Sequence, residues 1–385
     1  MRAAIDGRII FRRGVGRYTA NLVKNLIEVS KQDEFYVYLD KNSVLTDFIR
    51  SKNLKFKRLN TANPLYYEQF LLPKQAQKDK CSVLHCTDNK LPVFSRAFKG
   101  KKIVTIHDTM FVRPISMSVS KPTVKQRAVD AYLKTVIPAS AKQADAVITV
   151  SEYSKNDIIK RIGTEPDKIS VITEGVEPKY KEIKESRKIT AAKSKFGLSK
   201  PFILMTAASD LRKNFDRAIE AFNLFNNMTE YKYQLVITSI GAEELKTTKI
   251  PEKIKSLNLE KYVTITGYVS DDEMIALYNT ALFFLFPSIW EGFGLQVLEA
   301  FACGLPVICA SNTSLGEVAG DAAMAIDPYS VEDITRAMTE LEKSEAKRAQ
   351  LKEKGFRQAE KFSWKEAAQK TLELYKKTAG VNDGK

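Results

Sequence analysis

Short apolar runs alternate with amphipathic segments along most of the 385-residue chain. Each run has three to five residues, rich in branched and aromatic side chains, which is typical of a buried strand. Amphipathic segments such as 18–29 and 124–137 separate several runs and indicate helices. This alternation predicts parallel sheets with helices on both faces. The predicted strands are Arg2–Ile5, Phe35–Leu39, Lys55–Leu59, Val83–Cys86, Ile103–Ile106, Ala146–Val150, Ile169–Thr173, Phe202–Thr206, Gln234–Thr238, Val263–Thr266, Leu282–Phe286, Val307–Cys309 and Met324–Ile326.

A polar stretch rich in Lys and Glu divides this pattern into two halves, between residue 174 and about residue 195. The chain is long enough for two domains with a core each. We predict a first domain over 1–178, a second over 179–362 and a C-terminal helix over 363–385, with Ser363 as its N-cap and Glu366 completing a capping box. Two doubly wound domains facing each other across a cleft are the expected α/β assembly, with ligands at the carboxyl ends of the strands.

The most informative motif is a strand, a glycine-rich turn, a helix and a second strand over residues 281–309. Such a turn aims backbone N–H groups and a positive helix end at a phosphate. Two carboxylates beside an anion would repel it, so the ligand must also carry hydroxyl or amine groups. A sugar nucleotide offers both. The residues concerned are Glu291, Gly292, Phe293, Gly294 and Leu295 at the turn and Glu299 in the helix.

This motif resembles the signature of the retaining glycosyltransferases of family 4, which have the two-domain GT-B architecture. The alternative is an ordinary strand-to-helix turn with two solvated glutamates. The resemblance implies that Glu299 accepts hydrogen bonds from the ribose and that Glu291 holds the sugar. It also implies a C-terminal helix that crosses back onto the first domain.

Further segments resemble the same family. Arg212 and Lys213 lie on a strand-to-helix loop and are expected to neutralise the diphosphate, whereas Ala207 stands where the family often has another arginine. We expect Lys213 and Glu299 to point into the cleft, so that replacing either with alanine changes stability by less than about 1 kcal/mol. The resemblance also implies that the backbone at Tyr268 and Val269 holds the nucleotide base.

In the first half, His107 ends a predicted strand and resembles the family histidine that hydrogen-bonds the donor sugar. Gly14 and Gly16 lie on a predicted loop that the resemblance places near the reacting phosphate or the acceptor. For both features a purely structural role is the alternative. The segment from His85 to Asn89 also resembles a family cleft segment, with structural and functional roles equally open.

The chain contains no Asp-x-Asp pair, the usual carboxylate ligands for a divalent metal under a diphosphate. We therefore expect no metal and no other cofactor, with the leaving group stabilised by Arg212, Lys213 and backbone N–H groups. No carboxylate is placed as a covalent nucleophile. The family resemblance then implies a front-face reaction in which the leaving phosphate deprotonates the acceptor.

The net charge of +15 lies almost entirely in the first half of the chain. Residues 1–178 hold 31 Lys and Arg against 18 Asp and Glu, whereas residues 179–385 hold 30 against 28. This imbalance suggests an anionic partner. The segment 121–134 interleaves cations with apolar residues, so we assign a membrane or acceptor patch to it, the alternative being a helix packed into its own domain. The patch residues are Lys125, Arg127 and Lys134.

The combined motifs predict a glycosyltransferase that moves a hexose, with mannose from GDP-mannose as the leading donor, to a lipid-linked or polysaccharide acceptor. The assignment of mannose rests on a resemblance to bacterial mannosyltransferases of polysaccharide assembly. A UDP-sugar and a soluble acceptor remain an alternative, as does an epimerase or phosphorylase of the same architecture, although no pyridoxal-bearing lysine region is identifiable. A nucleic-acid-binding protein would rest on charge alone, so no nucleic acid partner is expected.

No apolar stretch approaches the ~20 residues of a membrane span, and no signal peptide is recognised. The four cysteines do not form a disulfide pattern, which predicts buried reduced thiols. We expect a cytoplasmic protein, with peripheral attachment to the inner face of the cell membrane left open.

Overall fold

The computed structural model describes residues 1–12, 14–43, 48–112, 124–184, 186–207, 210–230 and 232–381. They form two compact units. The chain passes from unit 1 to unit 2 between Gly175 and Val176 and returns between Phe362 and Ser363. The sequence pattern predicts these passages at 178/179 and 362/363.

Unit 1 contains a seven-stranded parallel sheet with the order β3-β2-β1-β4-β5-β6-β7. Consecutive strands extend the sheet in one direction from β1 to β3 and in the other from β4 to β7, so the direction reverses between β1 and β4. Most of the strands are largely buried and apolar, as expected for a sheet covered on both faces, whereas the edge strand Leu54–Arg58 is only partly buried and carries three cations. Their bounds are β1 Arg2–Asp6, β2 Glu34–Leu39, β3 Leu54–Arg58, β4 Val83–Cys86, β5 Lys101–Thr105, β6 Ala146–Thr149 and β7 Ile169–Val171.

Helices on both sides of this sheet come from the first half of the chain. The first helix begins at Val15, earlier than predicted, and the fourth extends to Gln143, beyond the predicted end at residue 137. One turn between the second and third is π-helical, spanning Tyr67–Leu71. The α-helices are α1 Val15–Val29, α2 Pro64–Tyr66, α3 Leu72–Lys78, α4 Val124–Gln143 and α5 Glu152–Ile162.

Unit 2 contains a six-stranded parallel sheet with the order β10-β9-β8-β11-β12-β13. Its direction reverses between β8 and β11, which defines a topological switch point. The strand bounds are β8 Phe202–Thr206, β9 Gln234–Thr238, β10 Val263–Gly267, β11 Phe284–Phe286, β12 Val307–Ala310 and β13 Met324–Ile326.

The helices of unit 2 pack around this sheet and bury an apolar core of Phe, Ile and Leu side chains. The predicted hinge stretch near residue 195 holds the first of them. Their bounds are α6 Ser186–Lys195, α7 Phe215–Met228, α8 Ala242–Leu245, α9 Ile250–Ser256, α10 Asp271–Tyr278, α11 Leu295–Ala302, α12 Ser314–Ala319, α13 Val331–Lys343 and α14 Glu345–Ala359.

The last helix, α15 (Trp364–Ala379), belongs to unit 1 and packs against α1. Ser363 caps its first turn by accepting a hydrogen bond from the backbone N–H of Glu366, as predicted. The buried positions recur at helical spacing along one face: Trp364, Ala367, Ala368, Thr371, Leu372 and Tyr375.

The predicted fold class of two doubly wound parallel sheets with a returning C-terminal helix is therefore confirmed. All four cysteines are buried and free, as predicted. Over the part of the chain that the structure describes, no helix has the length and apolarity needed to cross a bilayer.

Candidate active site

Lys213 and Glu291 meet at the switch point of unit 2. Lys213 ends a short 3₁₀ turn, Leu211–Lys213, in the loop after β8, and Glu291 lies in the loop after β11. The Lys213 Nζ atom donates a hydrogen bond to Glu291 Oε1 at 2.6 Å, and the two side chains are only 9% and 11% exposed. Ligands of open α/β sheets bind in the crevice at such a reversal. The sequence motifs from two distant segments are thus joined by a buried ion pair.

Backbone and side-chain hydrogen bonds hold the two loops in register. The N–H of Ile289 donates to the carbonyl oxygen of Arg212 at 2.8 Å. The side-chain amide of Asn214 donates to the carbonyl oxygens of Pro287 and Pro328, at 3.1 and 2.6 Å. Because these bonds fix both loops, the geometry of the ion pair is set before any ligand binds.

The pair lies in a cationic environment. Arg212 donates from Nε to Asp210 Oδ2 at 2.6 Å, and the Lys213 ammonium lies 4.6 Å from the centre of the Phe286 ring. Burial alone would raise the pKa of the Glu291 carboxyl, but the charges of Lys213 and Arg212 outweigh it, and the pKa lies below its ordinary value. Glu291 is therefore a carboxylate at neutral pH.

The glycine turn begins α11. Gly294 has φ +111°, a conformation that favours glycine, and an added Cβ would lie 2.4 Å from Leu315 Cδ2. Gly294 is also the N-cap, so no side chain caps the first N–H groups of this helix. The Ser314 hydroxyl lies 2.7 Å from the carbonyl oxygen of Glu291 and 3.2 Å from that of Phe293, which ties the turn to α12.

Glu299 lies on α11 and is 2% exposed, with the Tyr278 hydroxyl donating to its Oε2 at 3.3 Å. Lys213 is 8% exposed. Both residues are therefore buried, which favours a larger loss of stability than the predicted change of less than about 1 kcal/mol; the size of the change stays a prediction. Removing one partner of a buried pair leaves an uncompensated charge.

Tyr268 and Val269 follow β10, which is separated from β8 by β9. The Tyr268 side chain is 48% exposed, and its hydroxyl donates to Glu244 Oε2 at 2.7 Å. The same carboxylate oxygen accepts the N–H of Gly241 at 3.1 Å. This part of the sheet edge is held together separately from the Lys213–Glu291 pair, and its assignment to the nucleotide base stays a prediction.

In unit 1, His107 lies at the carboxyl edge of the sheet, just beyond β5, as predicted. Its Nε2 lies 2.9 Å from the carbonyl oxygen of Thr87, so this nitrogen donates. Its Nδ1 faces Glu174 Oε1 at 3.7 Å. Burial would lower the pKa of the imidazole, but Glu174 reverses the effect and the pKa lies above its ordinary value. The sequence analysis missed Glu174; its position just after β7 at the same sheet edge was the available signal.

Gly14 and Gly16 were both predicted to lie on the loop before the first helix, but they occupy different positions. Gly14 is the N-cap of α1 with φ +67°, whereas Gly16 lies inside the first turn of the helix and is buried. An added Cβ at Gly16 would lie 2.1 Å from the carbonyl oxygen of Ile9. The placement of Gly16 on a loop is wrong, because the helix begins at Val15 and this glycine allows the preceding chain to pack closely.

His85 has a structural environment. The ring is fully buried, with Nδ1 2.5 Å from the Tyr375 hydroxyl and Nε2 2.7 Å from Thr105 Oγ1. Burial lowers the pKa of His85 to about 3, so the ring is neutral. Of the two roles left open for this residue, these contacts support the structural one.

A buried polar cluster that the sequence analysis missed lies at the end of β1. Arg8 Nη2 donates to Asp6 Oδ2 at 2.6 Å and to Glu68 Oε2 at 3.0 Å. Asp6 and Glu68 are each 2% exposed. The available signal was the position of Asp6 and Arg8 directly at the carboxyl end of a strand. The cluster fixes the π-helical turn against the sheet edge.

The predicted patch on α4 is divided by the packing of this helix. Arg127 and Lys134 are exposed, whereas the side chain of Lys125 lies outside what the structure describes. Of the apolar residues between them, Val129 is 47% exposed, but Tyr132 and Leu133 pack against the core of unit 1. The stripe therefore does not form one continuous exposed face.

Two family models match the chain. The model "Glycosyltransferase Family 4" covers residues 12–180, and "Glycosyl transferases group 1" covers residues 186–358. Together they span most of both units, including the loops that carry Lys213 and Glu291. The chain belongs to glycosyltransferase family 4. The predicted family is confirmed.

Curated relatives of this family 4 glycosyltransferase include two Escherichia coli proteins. The chain is 33% identical over 238 residues to the serotype-specific mannosyltransferase WbdA. The aligned residues make up 61% of the chain and 29% of WbdA. The chain thus spans less than a third of that relative. It is 27% identical over 380 residues to O-antigen chain mannosyltransferase B, covering 94% of the chain and 96% of the relative.

Solved structures show the same fold at low identity. A sucrose-phosphate synthase from Thermosynechococcus elongatus superimposes with a TM-score of 0.78 at 18% identity, covering 99% of each chain. WaaG, a glycosyltransferase of lipopolysaccharide biosynthesis, gives 0.72 at 16% identity with full coverage of both chains. These similarities confirm the GT-B architecture of the family 4 glycosyltransferase.

Proposed function

We propose that the protein transfers a hexose from a nucleotide diphosphate sugar to a lipid-linked or polysaccharide acceptor, with retention of the anomeric configuration. Mannose from GDP-mannose is the leading donor. The observation that carries the proposal is the buried Lys213–Glu291 pair at the switch point of unit 2, beside a helix whose N-cap is glycine. The two Escherichia coli relatives, both named as mannosyltransferases, support the choice of sugar.

Lys213 and α11 stabilise the leaving group in this proposal. An ammonium group has three N–H donors, and Glu291 takes one of them, so in this proposal the ammonium can also donate to the diphosphate. The first N–H groups of α11, which Gly294 leaves uncapped, add a positive helix end. The Arg212 guanidinium contributes charge from the same loop. These donors are held in place before the reaction, so little reorganisation opposes departure of the nucleoside diphosphate.

Glu291 and Glu299 act as carboxylates toward hydroxyl groups. Glu291 accepts hydrogen bonds from the hexose hydroxyls and stabilises positive charge at the anomeric carbon, and Glu299 accepts from the ribose. The ion pair with Lys213 keeps Glu291 ionised, as its lowered pKa requires. The leaving phosphate removes the proton of the attacking acceptor hydroxyl, so no protein nucleophile and no divalent metal take part. A hydrogen bond from His107 to the sugar stays a proposal, because both of its ring nitrogens face partners within unit 1, the carbonyl oxygen of Thr87 and the carboxylate of Glu174.

The acceptor side is assigned to unit 1, which carries the positive charge. Arg127 and Lys134 are exposed on α4 and suit an anionic membrane surface. We propose that the protein works in the cytoplasm, at the inner face of the membrane where lipid-linked acceptors are exposed. No nucleic acid partner is part of the proposal.

A panel of nucleotides and nucleotide sugars tests the donor. GDP and GDP-mannose should raise the melting temperature of the protein, by an amount that corresponds to about 2.7 kcal/mol at 100 times the dissociation constant. UDP and ADP should have little effect. Transfer of labelled mannose to an extracted lipid-linked acceptor should follow, and nuclear magnetic resonance of the product should show an α-linkage. A β-linkage would contradict retention.

A UDP-sugar is the second candidate. The fold is shared with HepE from Anabaena, solved in complex with UDP-glucose, at a TM-score of 0.73 and 16% identity. If UDP alone raises the melting temperature, the donor assignment is wrong, while the role of the Lys213–Glu291 pair remains. Glu291→Gln is the matched variant, because it should keep nucleotide binding and lower the rate of transfer.

A further inference from the structure

Four large hydrophobic side chains are exposed on one side of unit 1, and we call them the aromatic surface. They are Leu65, Tyr66, Phe70 and Phe94, with exposed fractions of 49%, 49%, 52% and 65%. The Tyr66 and Phe70 ring centroids lie 5.9 Å apart. Single exposed apolar residues are ordinary on a protein surface, but a contiguous group that includes three aromatic rings marks an interaction site.

The buried side of the same segment explains why these rings point outward. Gln69, in the π-helical turn, is 2% exposed. Its Oε1 accepts the N–H of Phe94 at 3.0 Å, and its Nε2 donates to the Tyr132 hydroxyl on α4 at 3.1 Å. One buried amide thus joins the turn, the loop at residue 94 and α4. Because Gln69 and Tyr67 of this turn are buried, the turn is held from the inside, and Tyr66 and Phe70 beside them remain exposed.

Exposed cations lie close to the aromatic surface in sequence, or on α4, which Gln69 joins to the same segment. Lys74 lies one helical turn after Phe70, and Arg96 lies two residues after Phe94; both are exposed. On α4, Val129 is 47% exposed one turn before Tyr132, and Arg127 is exposed beside it. Aromatic rings with flanking Lys and Arg are the combination that lies in the headgroup region of an anionic bilayer.

We infer that the aromatic surface inserts into the headgroup region of an anionic lipid bilayer and anchors unit 1 there. The inference rests on the proposed lipid-linked acceptor and adds the site of contact to it. The excess of positive charge in residues 1–178 matches an anionic lipid surface better than a neutral glycan. Rings of this kind also stack on sugars, and the experiments below separate that occupant from lipid.

A tryptophan at position 94 reports insertion directly. The two native tryptophans, Trp290 and Trp364, are 2% and 4% exposed and give a constant background. In Phe94→Trp, vesicles of phosphatidylglycerol and phosphatidylcholine should shift the emission to shorter wavelength, and brominated lipids should quench it. Phosphatidylcholine alone should have a weaker effect. Binding to anionic vesicles without a shift or quenching would overturn the inference.

Removal of the rings tests their contribution to affinity. The triple variant Tyr66→Ser, Phe70→Ser and Phe94→Ser should have an affinity for anionic vesicles at least about tenfold lower than that of wild type, at every salt concentration. The matched control is Leu224→Ser with Met228→Ser, which removes two side chains that are 43% and 63% exposed on α7 of unit 2 and should leave binding unchanged.

Three further results decide against the inference or against the proposed function. Unchanged vesicle binding of the triple variant, with loss of binding in Arg127→Glu/Lys134→Glu, would show that charge alone attaches the protein. Loss of affinity for soluble polysaccharide with vesicle binding intact would assign the rings to glycan. Transfer to a water-soluble acceptor analogue should be equal in wild type and triple variant. If wild type shows no transfer with any donor, the proposed function fails, and the vesicle measurements still stand.

Discussion

Replacing Lys213 with methionine should destabilise unit 2 by about 3 kcal/mol. The two side chains of the Lys213–Glu291 pair are 9% and 11% exposed, so solvent screens their interaction little. Removing one member of a buried pair typically destabilises by about 3–5 kcal/mol. We expect the lower end because Arg212 also lowers the pKa of Glu291 and so compensates part of its charge. In a domain of this size the change corresponds to a fall of roughly 6–12 °C in melting temperature.

The double variant Lys213→Met/Glu291→Gln isolates the interaction. Removing both charges leaves no uncompensated ion, so the double variant should lose less stability than Lys213→Met alone. The coupling free energy from the four-variant cycle should be about 2–3 kcal/mol. Because the protein has two units, unfolding should be followed in a Trp364→Phe background, where fluorescence reports only Trp290 in unit 2.

The measurement is urea unfolding of each variant without ligand, followed by titration with GDP. Lys213→Met should also lose most of its affinity for the nucleotide. A destabilisation below about 1 kcal/mol, with additive effects in the double variant, would show that the pair is solvated in solution and that our account of its burial is wrong.

Three other predictions concern the leaving group, the contact of His107 with Glu174 and the contact of His85 with Tyr375. Transfer should continue in EDTA, and loss of turnover restored by Mg²⁺ or Mn²⁺ would refute our view of the leaving group. The pKa of His107 is raised in the folded protein, so the stabilising contribution of the charged ring is complete below the unfolded value of about 6.5 and is lost as pH rises through the folded value. Glu174→Gln should therefore lower the melting temperature more at pH 5.5 than at pH 9. An equal effect at both pH values would contradict the pairing of His107 with Glu174. Tyr375→Phe removes the partner of His85 Nδ1 inside a fully buried site and should destabilise unit 1 by about 1–3 kcal/mol in thermal unfolding, whereas no change would mean that water replaces the hydroxyl.

The sheets were predictable from the sequence because most of the strands are short apolar runs, although β3 carries three cations and β5 begins with two lysines. A parallel strand covered on both faces has no polar positions to obscure its pattern. Every predicted strand is present, and none of its ends differs from the prediction by more than two residues. The glycine turn from Gly292 to Gly294 was predictable for the same local reason, since a turn and a helix start both depend on neighbouring residues.

The pairings between loops were not predictable. Lys213 and Glu291 are 78 residues apart in sequence, and only the strand order brings them together. The sequence analysis gave them separate ligand groups, whereas the structure shows them bonded to each other. The partner of His107 was missed in the same way, because α4, β6, α5 and β7 lie between it and Glu174 in the chain.

Packing also overrides local patterns. The sequence pattern predicts a loop at Gly16 because glycine is a weak helix former. In the structure Gly16 lies in a helix, and a glycine is needed there because the backbone of Ile9 packs closely against it. The period of α4 suggests one apolar stripe, yet Tyr132 and Leu133 pack inward and Val129 does not. The spacing of apolar residues along a helix shows which of them share a face, but it does not show whether another element covers that face.

The return of α15 to unit 1 sets an order for folding during synthesis. All of unit 2 is made between two parts of unit 1, so it can close its core while unit 1 still lacks a helix. Until residues 364–379 emerge, the face of α1 that packs against α15 stays uncovered, and the His85 ring lacks the Tyr375 hydroxyl. A ribosome that stalls within this helix would leave an apolar surface on an otherwise formed unit 1. Chaperones that bind such surfaces should therefore associate with nascent chains up to this point and be released once Tyr375 is in place.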